Sequence, residues 1–417
     1  MPRKRFYSNK ANSLFYNALD YCCKKYKYVF CFNGNNYKNG FEQTIYASNK
    51  LLDIKCLDEL GGLEPNKYTA FYISYDLKNE IEDLVSERST SFEFLPLAIL
   101  QADLKISKLG YSLEIDTQNG NLNAISDEIV NLKTHKKVAP TPFFLEQTNF
   151  EEYKNTVTKI QNNIIEGDVY EICYCIEFLD TNYTLDKPHQ MFQALMKKSP
   201  TPFSSFVQLD AQFLISASPE RFIIKKGNTI YSQPIKGTMA RNIDLEIDAL
   251  LKEKLKNSSK DISENLMIVD LVRNDLSKIS KPASVVVTEL FGIYSYPTVH
   301  QMTSTISSKI DDKTSFKDII QALFPMGSMT GAPKIKAMQL IEQYERFKRG
   351  IYSGSVGYFT PNGFDANVVI RSFQYNNKTN TLGYHVGSAI TFESDVLAEY
   401  QECVLKSKSI LSLFTNS

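Results

Sequence analysis

From Asn149 onward, apolar residues recur at periods that predict elements. Thr148 or Asn149 caps a helix, with Glu151 or Glu152 completing a capping box. Phe150, Tyr153, Val157, Ile160 and Ile164 follow at spacings of three and four, one buried helical face that Gly167 ends. Residues 169–178 then read as a strand rich in Val, Ile, Tyr and Cys. Strands 213–216 and 221–226 flank Pro219, and Gly227-Asn228 turns the chain into 229–233. Ile262, Leu266, Val269, Val272 and Leu276 mark a long helix, and 332–348 another, ended by Gly350. Strands 353–360, 366–374 and 381–386 lead into a last helix over 395–413. Adjacent strands joined by short turns, with helices between the groups, predict an α+β fold with antiparallel sheets.

The first part of the chain is harder to read. Leu113-Glu114-Ile115-Asp116 before Asn119-Gly120-Asn121 is a strand entering a turn, and 126–142 loses periodicity towards Ala139-Pro140-Thr141-Pro142, a linker pattern. The expected division is a variable N-terminal part, 1–145, and a catalytic region, 146–417. With 417 residues, 43% of them apolar, a core forms without disulfides. The 47 basic residues balance 47 acidic ones, which argues against a nucleic-acid binder and leaves a small anionic ligand open. Seven cysteines, an odd number with no CxxC pair, predict reduced thiols. The basic Pro2-Arg3-Lys4-Arg5 precedes no apolar signal region, and no run reaches the ~18 apolar residues of a membrane span. A soluble, cytoplasmic protein is the expectation.

Several segments carry possible chemistry. Gln233-Pro234-Ile235-Lys236-Gly237-Thr238 fixes a lysine at a strand end, where it serves as base or nucleophile, or is simply an exposed turn lysine. Glu220, in Ser218-Pro219-Glu220-Arg221-Phe222, is placed to face Lys236; a surface salt bridge is the plainer alternative. Glu264 lies off the apolar stripe of its helix, and Glu399 and Glu402 sit within one turn of each other on the last helix. Carboxylates converging from two helices suit Mg²⁺, although solvated helix faces give the same pattern. Gly327-Ser328-Met329-Thr330-Gly331-Ala332-Pro333-Lys334 places glycines and a lysine at a helix start, a geometry that attracts anions or merely caps the helix. Arg371 follows an apolar run, and Gly387-Ser388 precedes the last helix, on which Lys406 falls one turn after Glu402. His135, His189, His300 and His385 show no metal-binding spacing.

In combination, PIKGT, SPERF, ENLMIVDLVRNDL, TVHQMTSTI, FPMGSMTGAPKIKAM, GSVGYF and EYQECVLKSKSIL resemble the chorismate-utilising enzymes, over roughly residues 145–415. That family implies two antiparallel sheets packed face to face, helices outside and a site in the cleft between them. Lys236 is shared with the members that aminate C4; anthranilate-forming members usually carry Ala there. The implied activity is Mg²⁺-dependent amination of chorismate to 4-amino-4-deoxychorismate, on the way to 4-aminobenzoate and folate. The alternative is conversion to anthranilate and pyruvate.

By the same resemblance, Lys236 attacks C2 and expels the C4 hydroxyl, ammonia then displaces the lysine, and Glu220 steers it. His300 is a candidate general acid, and Thr330 is a further catalytic candidate. Glu264, Glu399 and Glu402 are the implied Mg²⁺ ligands. Arg371, Tyr358, Lys406 and the Gly387-Ser388-Ala389 backbone are the implied carboxylate cradle. Glu171 stands where amine-transferring members usually carry Gln and isochorismate-forming ones a general-base Lys, which speaks against activation of water. Ser388-Ala389 replaces two of three family glycines. No counterpart of the N-terminal regulatory tryptophan site is recognisable, so no tryptophan feedback is expected. Ammonia is expected from a separate glutamine amidotransferase subunit, since no amidotransferase cysteine motif is seen in this chain.

Overall fold

The computed structural model describes residues 1–118, 120–132, 139–297 and 299–414. Asn119 of the expected turn, His135 with 133–138 of the expected linker, and Thr298 at the head of TVHQMTSTI lie outside the described residues. Among the described residues the strands form two antiparallel sheets, one of 12 strands and one of 9, counting Leu145–Glu146, which pairs with Glu171–Asp180 in the first, and Val286–Ser295, which pairs with Val299–Lys309 in the second. The larger runs from Arg3–Tyr7 through Ser112–Thr117, Leu104–Leu109, Thr44–Ser48, Tyr28–Asn33, Ser204–Leu209, Gln212–Ser216, Ser372–Asn376, Thr381–Ile390 and Glu171–Asp180 to the two-residue Gly331–Ala332. The smaller orders Ile235–Ala240, Val299–Lys309, Thr229–Gln233, Arg221–Lys226, Gly363–Asn367, Ser355–Thr360, Thr69–Ile73 and Leu97–Gln101.

The sheets meet face to face. Phe30, Phe32 and Tyr46 of the larger pack against Ala70, Tyr72, Leu100 and Tyr358 of the smaller. The outer face of the larger sheet is covered by helices that include Ala11–Lys25, Phe150–Ile165, Lys334–Tyr344 and Val396–Leu411; that of the smaller by Ser259–Ser277 and Phe316–Leu323. Glu171–Asp180 is buried almost throughout, which is why residues 172–176 are a continuous apolar run rather than an alternation. Both sheets mix early and late strands: Tyr28–Asn33 pairs with Ser204–Leu209, and Thr69–Ile73 with Ser355–Thr360.

The expected capping box forms: Asn149 accepts from the Glu152 N–H while Glu152 accepts from the Asn149 N–H. Four expectations change. The strand over 366–374 is two, Gly363–Asn367 and Ser372–Asn376, because Val368-Val369-Ile370 carries the chain from one sheet to the other. It crosses beside the opposite passage, 217–220: the Val368 N–H donates to the Glu220 carbonyl at 3.1 Å, and the Ala217 N–H to that of Arg371 at 3.0 Å. The helix over 332–348 is only Lys334–Tyr344, since Glu345 turns extended to place its carboxylate under the Cys175 N–H and the Arg349 guanidinium. On Ser259–Ser277 the buried stripe is Asn265, Ile268, Val269, Val272 and Leu276, and Leu266 faces out. Part of the expected linker is also helical, because Leu122–Asn131 is a helix capped by Asn121.

Candidate active site

The two passages between sheets bring distant segments to one seam. Lys236 stands on Ile235–Ala240, where the register against Val299–Lys309 slips between Ile235 and Thr238 and Gly237 adopts φ +88°. A side chain at Gly237 would collide with Asp261, so glycine is required there. Lys236 is buried and donates from Nζ to Glu171 Oε1 at 2.6 Å, while Glu264 Oε2 lies at 3.8 Å. Burial works against the charge, but Glu171 and then Glu264 outweigh it and hold the lysine above its usual pKa. The expected partner was Glu220. Its carboxylate instead accepts from Ser328 Oγ at 2.8 Å, and burial pushes its pKa up to about 7 against the counteracting Ser328 bond and the Lys236 charge.

Glu171 owes its position to its neighbours. Gly331–Ala332 pairs with the start of its strand, Tyr170 N–H donates to the Ala332 carbonyl and Cys173 N–H to that of Thr330. A Cβ on Gly331 would strike the Glu171 carbonyl. Thr330 Oγ1 donates to the Met326 and Gly327 carbonyls, so it closes this turn. Behind it, fully buried Arg349 donates to both Glu345 oxygens and to the carbonyls of Met329 (2.6 Å) and Cys173 (2.8 Å), tying turn and strand together. Glu171 Oε2 has no hydrogen-bond partner although buried.

A carboxylate group lies beside Lys236. Burial raises Glu264 to about 7. Its Oε1 and Glu399 Oε2 are buried oxygens without a hydrogen-bond partner, on two different helices. Lys260 Nζ donates to Glu399 Oε1 at 2.9 Å and lies 3.8 Å from Glu264 Oε1; Glu402 pairs with Lys406 at 2.7 Å. Among the described residues, no three acidic, His or Cys side chains converge into a ready-made metal site. The oxygen-only donors with two orphaned oxygens nevertheless fit Mg²⁺.

Of the expected carboxylate cradle, Arg371 and Lys406 come together: Arg371 Nη1 donates to the Lys406 carbonyl (3.1 Å) and Ser409 Oγ (2.8 Å), and Lys406 Nζ to the Gly387 carbonyl (2.7 Å). Arg371 holds φ +52° at the end of its crossing, and burial lowers its pKa. Ala389 pairs with Cys173, whereas the Ser388 hydroxyl bonds Tyr153 at 3.0 Å.

Other candidates are placed elsewhere. Tyr358 belongs to the aromatic core with Phe32, Phe41 and Tyr46, and its hydroxyl accepts from the Glu42 N–H at 3.0 Å. His300 is held at both ring nitrogens, by Ser295 (2.8 Å) and Asp248 (3.0 Å), rather than at Lys236. Lys334 turns away from the glycine turn to Asp275 and the Leu323 carbonyl, because its buried ammonium requires those acceptors. Sequence reasoning missed Ser328, Lys260 and Arg349 as site-shaping residues. The spacing of Lys260 and Glu264, one helical turn, was a usable signal; nothing local marked Arg349.

A lysine sealed between carboxylates, with cations along the neighbouring strand and helix, defines an enzyme that handles a small anionic molecule between two packed sheets. The chain belongs to the chorismate binding enzymes, whose family profile matches residues 24–412. It is 35% identical over 348 residues to aminodeoxychorismate synthase component 1 of Klebsiella aerogenes, covering 81% of this chain and 75% of that one. It is 39% identical over 295 residues to a probable chloroplastic aminodeoxychorismate synthase of Oryza sativa, 70% of this chain and 32% of that longer protein. Its fold matches the crystal structure of anthranilate synthase component I from Streptococcus pneumoniae with a TM-score of 0.76 at 21% identity, over 93% of this chain and 92% of that one. Among the described residues no helix is long and apolar enough to cross a membrane.

Proposed function

We propose that this chain aminates chorismate at C4, giving 4-amino-4-deoxychorismate for 4-aminobenzoate and folate synthesis. The carrying observation is Lys236, buried at 2.6 Å from Glu171 beside a Glu220 whose carboxyl titrates at about 7. Lys236 passes a proton to Glu171 Oε1, and the freed Nζ attacks C2. The ring double bonds shift, the C4–O bond breaks, and Glu220 protonates the departing hydroxyl, which leaves as water. Ammonia attacks C4, the bonds shift back and the C2–Nζ bond breaks. Nζ recovers its proton from Glu171, and the C4 ammonium gives one to Glu220. Arg371 and Lys406 bind substrate carboxylates. Glu264, Glu399 and Glu402 would hold Mg²⁺, which neutralises the charge of a ring carboxylate when bound. A glutamine amidotransferase subunit supplies the ammonia, and the reaction takes place in the cytoplasm. "Component 1" in the names of relatives such as the Klebsiella protein supports a partner subunit.

The test is product analysis with chorismate, MgCl₂ and ammonium chloride. Aminodeoxychorismate should accumulate, and Lys236→Ala should cut turnover by at least about 100-fold. Direct release of anthranilate and pyruvate would sink the proposal.

A further inference from the structure

The reaction itself gives Lys260 no role. It lies in the first turn of Ser259–Ser277, one turn before Glu264, with its side chain half exposed. Its ammonium nevertheless reaches the buried carboxylate of Glu399, 2% exposed, on the helix Val396–Leu411 at 2.9 Å, and stands 3.8 Å from Glu264 Oε1. Ser394 Oγ also donates to Glu399 Oε1 at 3.0 Å, so that oxygen is fully used while Oε2 of the same carboxylate is buried without a partner. Glu264 Oε1 is orphaned in the same way. One flexible cation approaching from the solvent side thus links two carboxylates, each of which keeps one oxygen without a hydrogen bond, an arrangement ready for exchange. Burying carboxylates with no counter-charge is costly, so in the absence of a metal something must neutralise them.

We propose that Lys260 is the resident counter-ion of this carboxylate pair, and that a divalent cation binds by displacing its ammonium to solvent. The proposal rests on the assignment of Glu264 and Glu399 as Mg²⁺ ligands. No bond is made or broken: the ammonium stays protonated and exchanges water for carboxylate, while the incoming ion exchanges water for the orphaned oxygens. Lys260 is thus a positioning residue. It keeps the two carboxylates in place before the metal arrives, and it lowers metal affinity by competing for the same two carboxylates.

The test follows the melting temperature of the full chain against MgCl₂ concentration, without chorismate, so that catalysis is not the readout; the dependence gives an apparent Kd. Lys260→Met should melt lower than wild type in EDTA, because Glu399 loses its ion pair, and the difference should close at saturating MgCl₂. Its Mg²⁺ affinity should exceed that of wild type by at least about threefold, while Lys260→Arg, which keeps the charge, stays within about threefold. Lys260→Gln is the second neutral variant should the methionine protein not fold. A neutral variant within about threefold of wild type, or an arginine variant that tightens equally, overturns the displacement while leaving the metal site standing. Wild type and neutral variants all insensitive to MgCl₂ overturn the ligand assignment beneath it.

Discussion

Glu220 shows how far one residue's surroundings set its chemistry. Its folded-state carboxyl titrates at about 7 instead of 4.5, because burial outweighs the Ser328 hydrogen bond and the Lys236 charge. Below pH 4.5 both folded and unfolded chains are protonated and the residue costs nothing. As pH rises towards 7 the unfolded chain releases its proton first, so stability falls, levelling off above 7 at a loss of roughly 3–4 kcal/mol. Glu220→Gln escapes this loss. Its melting temperature relative to wild type should therefore rise between pH 4.5 and pH 8, while turnover falls; an offset equal at both pH values would contradict the origin of the shift. Residue identities at the site were legible in the sequence, but pairings were not. Glu220 and Lys236 were visible as neighbours, yet the lysine's partner is Glu171, at the far end of a different sheet's strand. No local pattern encodes that meeting, which depends on where two sheets cross. Tyr358 lies on an expected strand and His300 on one the sequence did not announce, and only the packing shows that their polar atoms already have partners.

At the scale of elements, the capped helix Phe150–Ile165 was legible, while the capped helices Leu122–Asn131 and Phe316–Leu323 were not, nor were ends and crossings. The Asn149–Glu152 box is a local event and forms as read. The early end of Lys334–Tyr344 is not local, because Glu345 leaves the helix to serve Arg349 and Cys175 from a neighbouring strand. Arg349 is the pin of that region, linking the Met329 turn, the Cys173 carbonyl and Glu345 in a site with no access to water. Arg349→Met should destabilise the protein by about 3 kcal/mol or more in urea unfolding, since it strands a buried carboxylate and unsatisfied carbonyls. Adding Glu345→Gln to that variant should recover part of the loss, as expected of two groups in one network. Strict additivity of the two changes would show that the pair is not coupled.

For the whole molecule, the division at residue 145 marks where sequence signals strengthen, not where a body of structure begins. Tyr28–Asn33 and Thr69–Ile73 supply neighbours to Ser204–Leu209 and Ser355–Thr360. A fragment of residues 146–417 would expose both of those strands along their lengths, together with the apolar surface that Phe30, Phe32 and Tyr72 cover. It should be insoluble when produced alone and become soluble when residues 1–145 are co-expressed; a soluble, cooperatively melting fragment would contradict this. The same interleaving governs how the protein is made. As the chain leaves the ribosome, its early strands emerge without their partners and must wait until most of the remaining sequence has been translated. Such long-range pairings close slowly. During that interval the nascent chain has an unfinished sheet edge and depends on chaperones, and the first half of the message gains nothing from being translated fast.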